Sequence, residues 1–227
     1  MLARDNVMID FERVTLLGTR GAIVRDVSFQ LRRGELGVLH GPTGGGKTTI
    51  LRLAHFDRRP DSGRVRIASF VSDRVTEPLL PEIRRRIGIV FQDYKLLPDR
   101  SAFDNVSLPL AIGGMSNRMV RRRAMELLQQ VGLGAKRVSF PQTMSGGEQQ
   151  RLGIARALAY DPHVLLADEP TGNLDRNTAH EVMDLIRRIN HRGTTVLLAT
   201  HDLDLVRGYG YPCWRVDQGQ VSASSSI

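Results

Sequence analysis

Cysteine is all but missing from this chain of 227 residues, where Cys213 stands alone. No internal disulfide can form, which fits a reducing compartment. Its place beside Trp214 in an apolar run predicts plain packing. Long apolar runs are missing too: no stretch approaches the roughly 18 to 20 residues a bilayer span needs. The first ten residues carry Arg4, Asp5 and Asp10 and lack the apolar core of a signal peptide. The chain is therefore expected in the cytoplasm unless a partner holds it at a membrane. Lysine is the third scarcity. Only Lys47, Lys95 and Lys136 occur, so arginine carries almost all of the net charge of +8. Such a balance suits nucleic acid or an anionic membrane surface, or reflects a general preference for Arg over Lys. The arginines are scattered, with clusters only at Arg84–Arg86 and Arg121–Arg123. Neither is interleaved with aromatics, which make up 5% of the chain, as a base-stacking platform would be. Nucleic acid is not the expected partner.

What remains is a globular composition, 41% hydrophobic, with a length that suits one core with a subdomain insert. Alternation predicts strands over 8–14 and 27–31, and a short apolar strand over 36–39 ends at a glycine-rich loop. From Thr48 the pattern turns helical. A turn at 60–63 leads to a strand over 65–70, residues 71–83 read as a loop, and 87–91 read as an apolar strand. From Ser101 to about Tyr160 the pattern is helical, with Val120, Ala124, Leu127, Leu128 and Val131 as one stripe. Strands return at 164–167 and 195–199, continuous and apolar as parallel strands buried on both faces tend to be. Between them Asp175 is a candidate helix N-cap, with Thr178 and Glu181 as an alternative start. A helix is expected from Asp202, then two short strands after Tyr211 and a polar tail.

Gly41-Pro-Thr-Gly-Gly-Gly-Lys-Thr48 fits G-x-x-x-x-G-K-[ST], with an apolar strand before it and a helix after. Glycines let backbone N–H groups converge on phosphate oxygens, and the following helix aims its positive end at the same anion. Lys47 is placed to reach the β- and γ-phosphates, and the Thr48 hydroxyl to ligate Mg²⁺. Asp168 follows a buried strand and is the expected partner of Mg²⁺ through a water. Glu169 is placed to orient the attacking water. Gln92 and His201 each follow a further strand, Gln92 to sense metal and water, His201 to touch the γ-phosphate. Ligands of open α/β sheets bind at the carboxyl ends of the strands. The other histidines, and Cys213, carry no expected chemistry.

With Ser145-Gly-Gly-Glu-Gln149 upstream of Leu165-Leu-Ala-Asp-Glu169, the chain resembles the ATPase subunits of ABC transporters over about residues 8 to 221. The resemblance implies an α/β fold: a P-loop NTPase (RecA-like) core with an N-terminal antiparallel β-subdomain and an inserted α-helical subdomain. Residues 8–91 and 161–221 would form the first two, 92–160 the helical part, and 222–227 a tail. It implies nucleotide contacts from Gly41, Pro42, Thr43, Gly44, Gly45, Gly46, Lys47, Thr48, Thr49 and Gln92, with Thr48, Gln92 and Asp168 at Mg²⁺. Lys47, Glu169 and His201 would be catalytic. Ser145, Gly146, Gly147, Glu148 and Asp175 would complete the site of a second copy, because one chain has one P-loop and one signature loop. A head-to-tail homodimer around two ATPs follows, with Ser145-Gly-Gly opening a helix at about Glu148 as a second anion cradle.

Phe91-Gln-Asp-Tyr-Lys-Leu-Leu-Pro-Asp-Arg100, Asp104-Asn-Val and Leu108-Pro-Leu110 are similar to the cell-division ATPases of the FtsE type. That likeness implies an integral membrane partner resembling FtsX, gripped beside Gln92 to Leu97, at the cytoplasmic face of the inner membrane. The expected output is activation of cell-wall hydrolases rather than solute transport, with Arg121–Arg123 toward the partner or simply solvated. The lipoprotein-release and macrolide-efflux ATPases share the stretch after Leu165 and are the alternative, but usually lack Asp93 with Asp99-Arg100. The C-terminal regulatory domain of many importer ATPases is not expected. Two departures stand out. No aromatic lies near 17 or 18 to stack on adenine, where Arg20 is a possible substitute, and Met144 stands where Leu is usual, a swap of similar volume.

Overall fold

The computed structural model describes residues 6–19 and 21–224; Arg4, Asp5, Arg20 and the last three residues of the expected tail lie outside them. Two sheets carry the fold. β1 (Val7–Gly18) and β2 (Gly21–Arg32) form an antiparallel hairpin, and β4 (Ser62–Ile67) and β5 (Phe70–Val71) extend it to a four-stranded sheet in the order β2-β1-β4-β5. The second sheet has six strands. They are β3 (Leu36–His40), β6 (Ile87–Val90), β7 (Val164–Asp168), β8 (Thr195–Thr200), β9 (Cys213–Asp217) and β10 (Gln220–Ser224), in the order β10-β9-β3-β8-β7-β6. All its pairings are parallel except β9 with β10.

The pleat of the central strands explains their unbroken apolar sequence. Leu165 and Ala167 of β7, like Val196 and Leu198 of β8, face one core, while Val164, Leu166, Leu197 and Ala199 face the other. The second core is the space between the sheets. It is filled by Ile9, Phe11 and Leu31 and by α1 (Lys47–Ala54), whose Ile50, Leu51 and Leu53 are buried there. The first core lies under α5 (Gly146–Ala157) and α6 (Arg176–His191), with α4 (Asn117–Gln130) joining through Ala124, Leu127 and Leu128. Two further helices, α2 (Leu80–Arg86) and α3 (Ala102–Ile112), complete the described elements longer than one 3₁₀ turn.

Some expectations are corrected. The loop expected over 71–83 contains the start of α2, which buries only Ile83 and so has no apolar stripe to read. The helix expected from Asp202 is a series of turns, since Gly208 and Gly210 take left-handed φ of 85° and 68°. α5 starts at Gly146 rather than near Glu148, and Asp175, not Thr178, caps α6. β10 runs to Ser224, into the expected tail, because Ser224 pairs with Cys213.

Candidate functional site

Four strand ends meet on one edge of the six-stranded sheet. β3 delivers the chain into Gly41–Gly46, β7 ends at Asp168, β8 hands over to His201, and β6 leads to Gln92. Gly41 sits at φ 142°, and a Cβ there would overlap the carbonyl oxygen of Val216 on β9. The loop is thus folded flat onto a neighbouring strand, which only glycine permits. Gly46, at φ 114°, is the N-cap of α1 and supplies no side-chain cap, so that helix end stays open to an anion.

Lys47, 5% exposed, is curled back into its own loop. Its Nζ donates to the carbonyls of Gly41 (2.8 Å) and Pro42 (3.1 Å) and lies 3.3 Å from Glu169 Oε1. The Thr48 hydroxyl donates to Asp168 Oδ1 at 3.1 Å. Burial pushes the Asp168 carboxyl above its usual range; the charge of Glu169 adds to this, and the Thr48 bond and Lys47 oppose it. Glu169 takes φ 45°, a left-handed conformation held by its N–H donating to Ala199 and its carbonyl accepting from Gly172. The strain re-aims its side chain away from the strand direction. Its Oε2 accepts from the His201 N–H (3.1 Å) and meets His201 Nδ1 at 2.8 Å. A carboxylate only accepts, so Nδ1 carries the proton and Nε2 is left for another partner.

Ile23, Thr43, Gly44, Gly46, Lys47, Thr48, Thr49, Gln92, Glu169 and His201 line one cleft of ≈ 210 Å³. Gly41, Pro42, Gly45 and Asp168 are not among its lining residues; Gly41 and Pro42 reach it through Lys47, and Asp168 through Thr48. Ser145, Gly146, Gly147, Glu148 and Asp175 do not line it. Ser145 caps α5 in a reciprocal box: its Oγ accepts from the Glu148 N–H, and Glu148 accepts from the Ser145 N–H. Glu148 also pairs with Lys136 at 2.6 Å, which holds its carboxyl below the usual range together with the Ser145 bond. That box leaves the N–H groups of Gly146 and Gly147 as the open donors of the helix end. Asp175 accepts from the Thr178 N–H and hydroxyl at the start of α6.

Ile23 was not foreseen. It is the one apolar side chain on the polar side of β2, where Val24, Val27, Phe29 and Leu31 are buried, and that break in alternation was its signal. A second concavity of ≈ 620 Å³ lies beside α2 and α5, lined among others by Arg84, Arg85, Phe91, Lys95, Ile112 and Tyr160. Arg121–Arg123 are not in it. Arg122 pairs with Glu126, and Arg123 is tied to Asp161 and the carbonyls of Leu158 and Ala159.

An open helix end, a lysine within its loop and strand-end carboxylates beside a hydroxyl suit a nucleoside triphosphate, and the fold and site together define a P-loop nucleotide hydrolase. The sequence profile of the ABC transporter family matches residues 24–172. The chain belongs to that family and is an ATPase. It is 43% identical over 216 residues to the cell division ATP-binding protein FtsE of Escherichia coli K12, covering 94% of this chain and 97% of the relative. With the protein of that name from Mycobacterium tuberculosis H37Rv it shares 45% identity over 181 residues, 80% and 79% of the two chains. Its fold is similar to the ATP-binding cassette MJ0796, solved as a post-hydrolysis dimer bound to ADP and Pi. The TM-score is 0.88 at 34% identity, over 97% of this chain and 99% of that one. No described helix is long and apolar enough to cross a membrane.

Proposed function

We propose that the chain is the ATP-driven subunit of a membrane complex, acting as a head-to-tail homodimer that closes around two ATPs. The observation that carries this reading is a division of parts. Lys47, Glu169 and His201 share one cleft, while the open N–H groups of Gly146 and Gly147 head a different helix outside it. In the dimer, Ser145, Gly146 and Gly147 of one copy cover the γ-phosphate held by the other. Glu148 and Asp175 shape the helix ends that make this contact.

The chemistry follows from the contacts. Phosphate oxygens replace the carbonyls of Gly41 and Pro42 as partners of Lys47 and draw it from Glu169. The released carboxylate takes a proton from water as that water attacks the γ-phosphorus and ADP leaves. His201 Nδ1 holds Glu169 in line, and its Nε2 faces the γ-phosphate. Mg²⁺ fits the Thr48 hydroxyl and the Asp168 carboxylate, two hard oxygen donors already within 3.1 Å of each other. Among the described residues no group of three His, Cys, Asp or Glu side chains is poised to hold a metal. Phosphate oxygens would complete the set, with Gln92 in the same cleft as a further oxygen donor. Once bound, the ion supplies neutralising charge to the phosphates.

Residues 92–160 act as the arm that carries Ser145 toward the second copy. The concavity beside Phe91 and Lys95, with Ile112 78% exposed at its rim, suits a segment of an integral membrane protein resembling FtsX. The complex then works at the cytoplasmic face of the inner membrane and drives cell-wall hydrolases; the relatives' names, which speak of cell division and ATP binding, support the division role alone. The test is capture from native membranes with Glu169→Gln protein and ATP. This variant is expected to hydrolyse about 10²- to 10⁴-fold more slowly and to recover one short integral membrane protein with a large extracytoplasmic loop. Recovery of a lipoprotein-release or efflux permease would overturn the division assignment.

A further inference from the structure

The hairpin of α3 and α4 carries a charge arrangement from which an isolated protein gains nothing. Residues 105–125 hold four arginines, Arg118 and Arg121–Arg123, and no Asp or Glu. Arg123 pairs with Asp161, and Arg122 reaches Glu126 at 3.5 Å. Arg118 and Arg121 have no carboxylate partner among the described residues. Arg118 and Arg122 are exposed and one turn apart, where like charges destabilise a helix. Arg118 also stands in the first turn of α4, which holds no acidic residue, against the positive end of the helix dipole. A face built only for water would alternate the sign of charge at these spacings.

The same tip exposes aliphatic side chains. Leu110 of α3 and Val120 of α4 pack with Ala159 and fix the tip. This leaves Ile112 78% and Met119 49% exposed, with exposed Leu108 one turn before Ile112 on α3. Arg84 and Arg85 of α2 line the concavity that Ile112 also lines, and Arg85 lies over the Tyr160 ring, 5.5 Å from its centroid. Clustered apolar side chains among arginines mark an interaction surface. They match a boundary that offers both hydrocarbon and negative headgroups.

We propose that this tip rests on the anionic phospholipid surface of the membrane, with Ile112 and Met119 at headgroup level and Arg118, Arg121 and Arg122 on the phosphates. The proposal rests on reading the complex as membrane-bound, and it adds a lipid contact made by this chain itself. Ile112 stands at the rim of the concavity assigned to the protein partner, so the lipid face begins where that seat ends. A negative surface reverses the sign of both penalties on α4. Guanidinium groups suit it, because they pair with phosphate through two parallel hydrogen bonds.

The experiment is co-sedimentation of the full-length, nucleotide-free protein with vesicles that contain no protein. One set is phosphatidylcholine alone; the other is equal parts phosphatidylcholine and phosphatidylglycerol. Binding is expected to the second set only, and to weaken as salt rises. Arg118→Gln, Arg121→Gln and Arg122→Gln together are expected to weaken it about 30- to 100-fold. Ile112→Asp should weaken it as well, and Ile112→Leu should not. Arg25→Gln, Arg32→Gln and Arg188→Gln together remove the same charge from exposed positions elsewhere, and this variant should bind like wild type. Equal binding to both vesicle sets, equal losses in the two triple variants, or binding to neither set would overturn the proposal. If vesicles stay unbound while the first triple variant loses the membrane protein captured by Glu169→Gln, the face belongs to that protein instead. Capture itself does not depend on the vesicle result, so failure here leaves the membrane-complex reading standing.

Discussion

Asp168 and Glu169 are neighbours in the chain and opposites in their surroundings. Glu169 is held by Lys47 and His201, whereas Asp168 has only the Thr48 hydroxyl, and burial raises its pKa. The sign of the consequence is fixed. Above the unfolded value of 3.8 the unfolded chain has released this proton, while the folded chain keeps it over the window up to its raised pKa. Stability therefore falls as pH rises through that window, and the penalty stays in place at neutral pH. Asp168→Asn, which keeps an acceptor for Thr48, is expected to raise the melting temperature of the nucleotide-free protein at pH 7 while abolishing Mg²⁺-dependent hydrolysis. Scanning calorimetry at pH 7 and at pH 4 checks it: the gain should shrink at the lower pH. An acid poised in this way is stabilised by the cation it awaits, so Mg²⁺–ATP should stabilise wild type more than the variant.

Among the elements, the contact between α5 and α6 ties the signature loop to the rest of the fold. A Cβ on Gly147 would overlap Thr178 Cγ2. Thr178 cannot rotate away cheaply, because its hydroxyl donates to Asp175 at 2.6 Å in the cap of α6. Gly147→Ala is expected to cost about 1–3 kcal/mol, the usual range for overpacking. Adding Thr178→Ser, which keeps the hydroxyl and removes the methyl, should restore most of it; denaturant midpoints of the single and double variants decide. The same elements show what was legible in the sequence. The P-loop and its helix were, because phosphate binding needs contiguous residues between a strand and a helix. Asp168 and Glu169 were, because β7 is buried on both faces and ends where its apolar run ends. Asp175 was, because a cap depends on three or four local residues. Ile23 was not, since its place in the cleft lining depends on β2 lying against Gly46, a contact between distant segments. α2 was not, since it buries one residue, and the turns after His201 were misread because Leu203, Leu205 and Val206 mimic a helical stripe that Gly208 and Gly210 interrupt.

For the whole molecule, one sheet edge gathers the candidate nucleotide cleft, and α5 presents a second helix end with open N–H groups that does not line the same cleft. Some arginines have ordinary local carboxylate partners: Arg66 with Asp10, Arg64 with Asp73, Arg123 with Asp161, Arg187 with Asp184. The central claim is that the site is shared between two copies. Its most direct test is the mass of Glu169→Gln protein by light scattering, with and without ATP. The account predicts 25.3 kDa without nucleotide, twice that with ATP, and loss of the ATP-induced dimer on adding Ser145→Arg while ATP still binds. A protein that binds ATP yet stays at the monomer mass, or a dimer indifferent to Ser145→Arg, would contradict it.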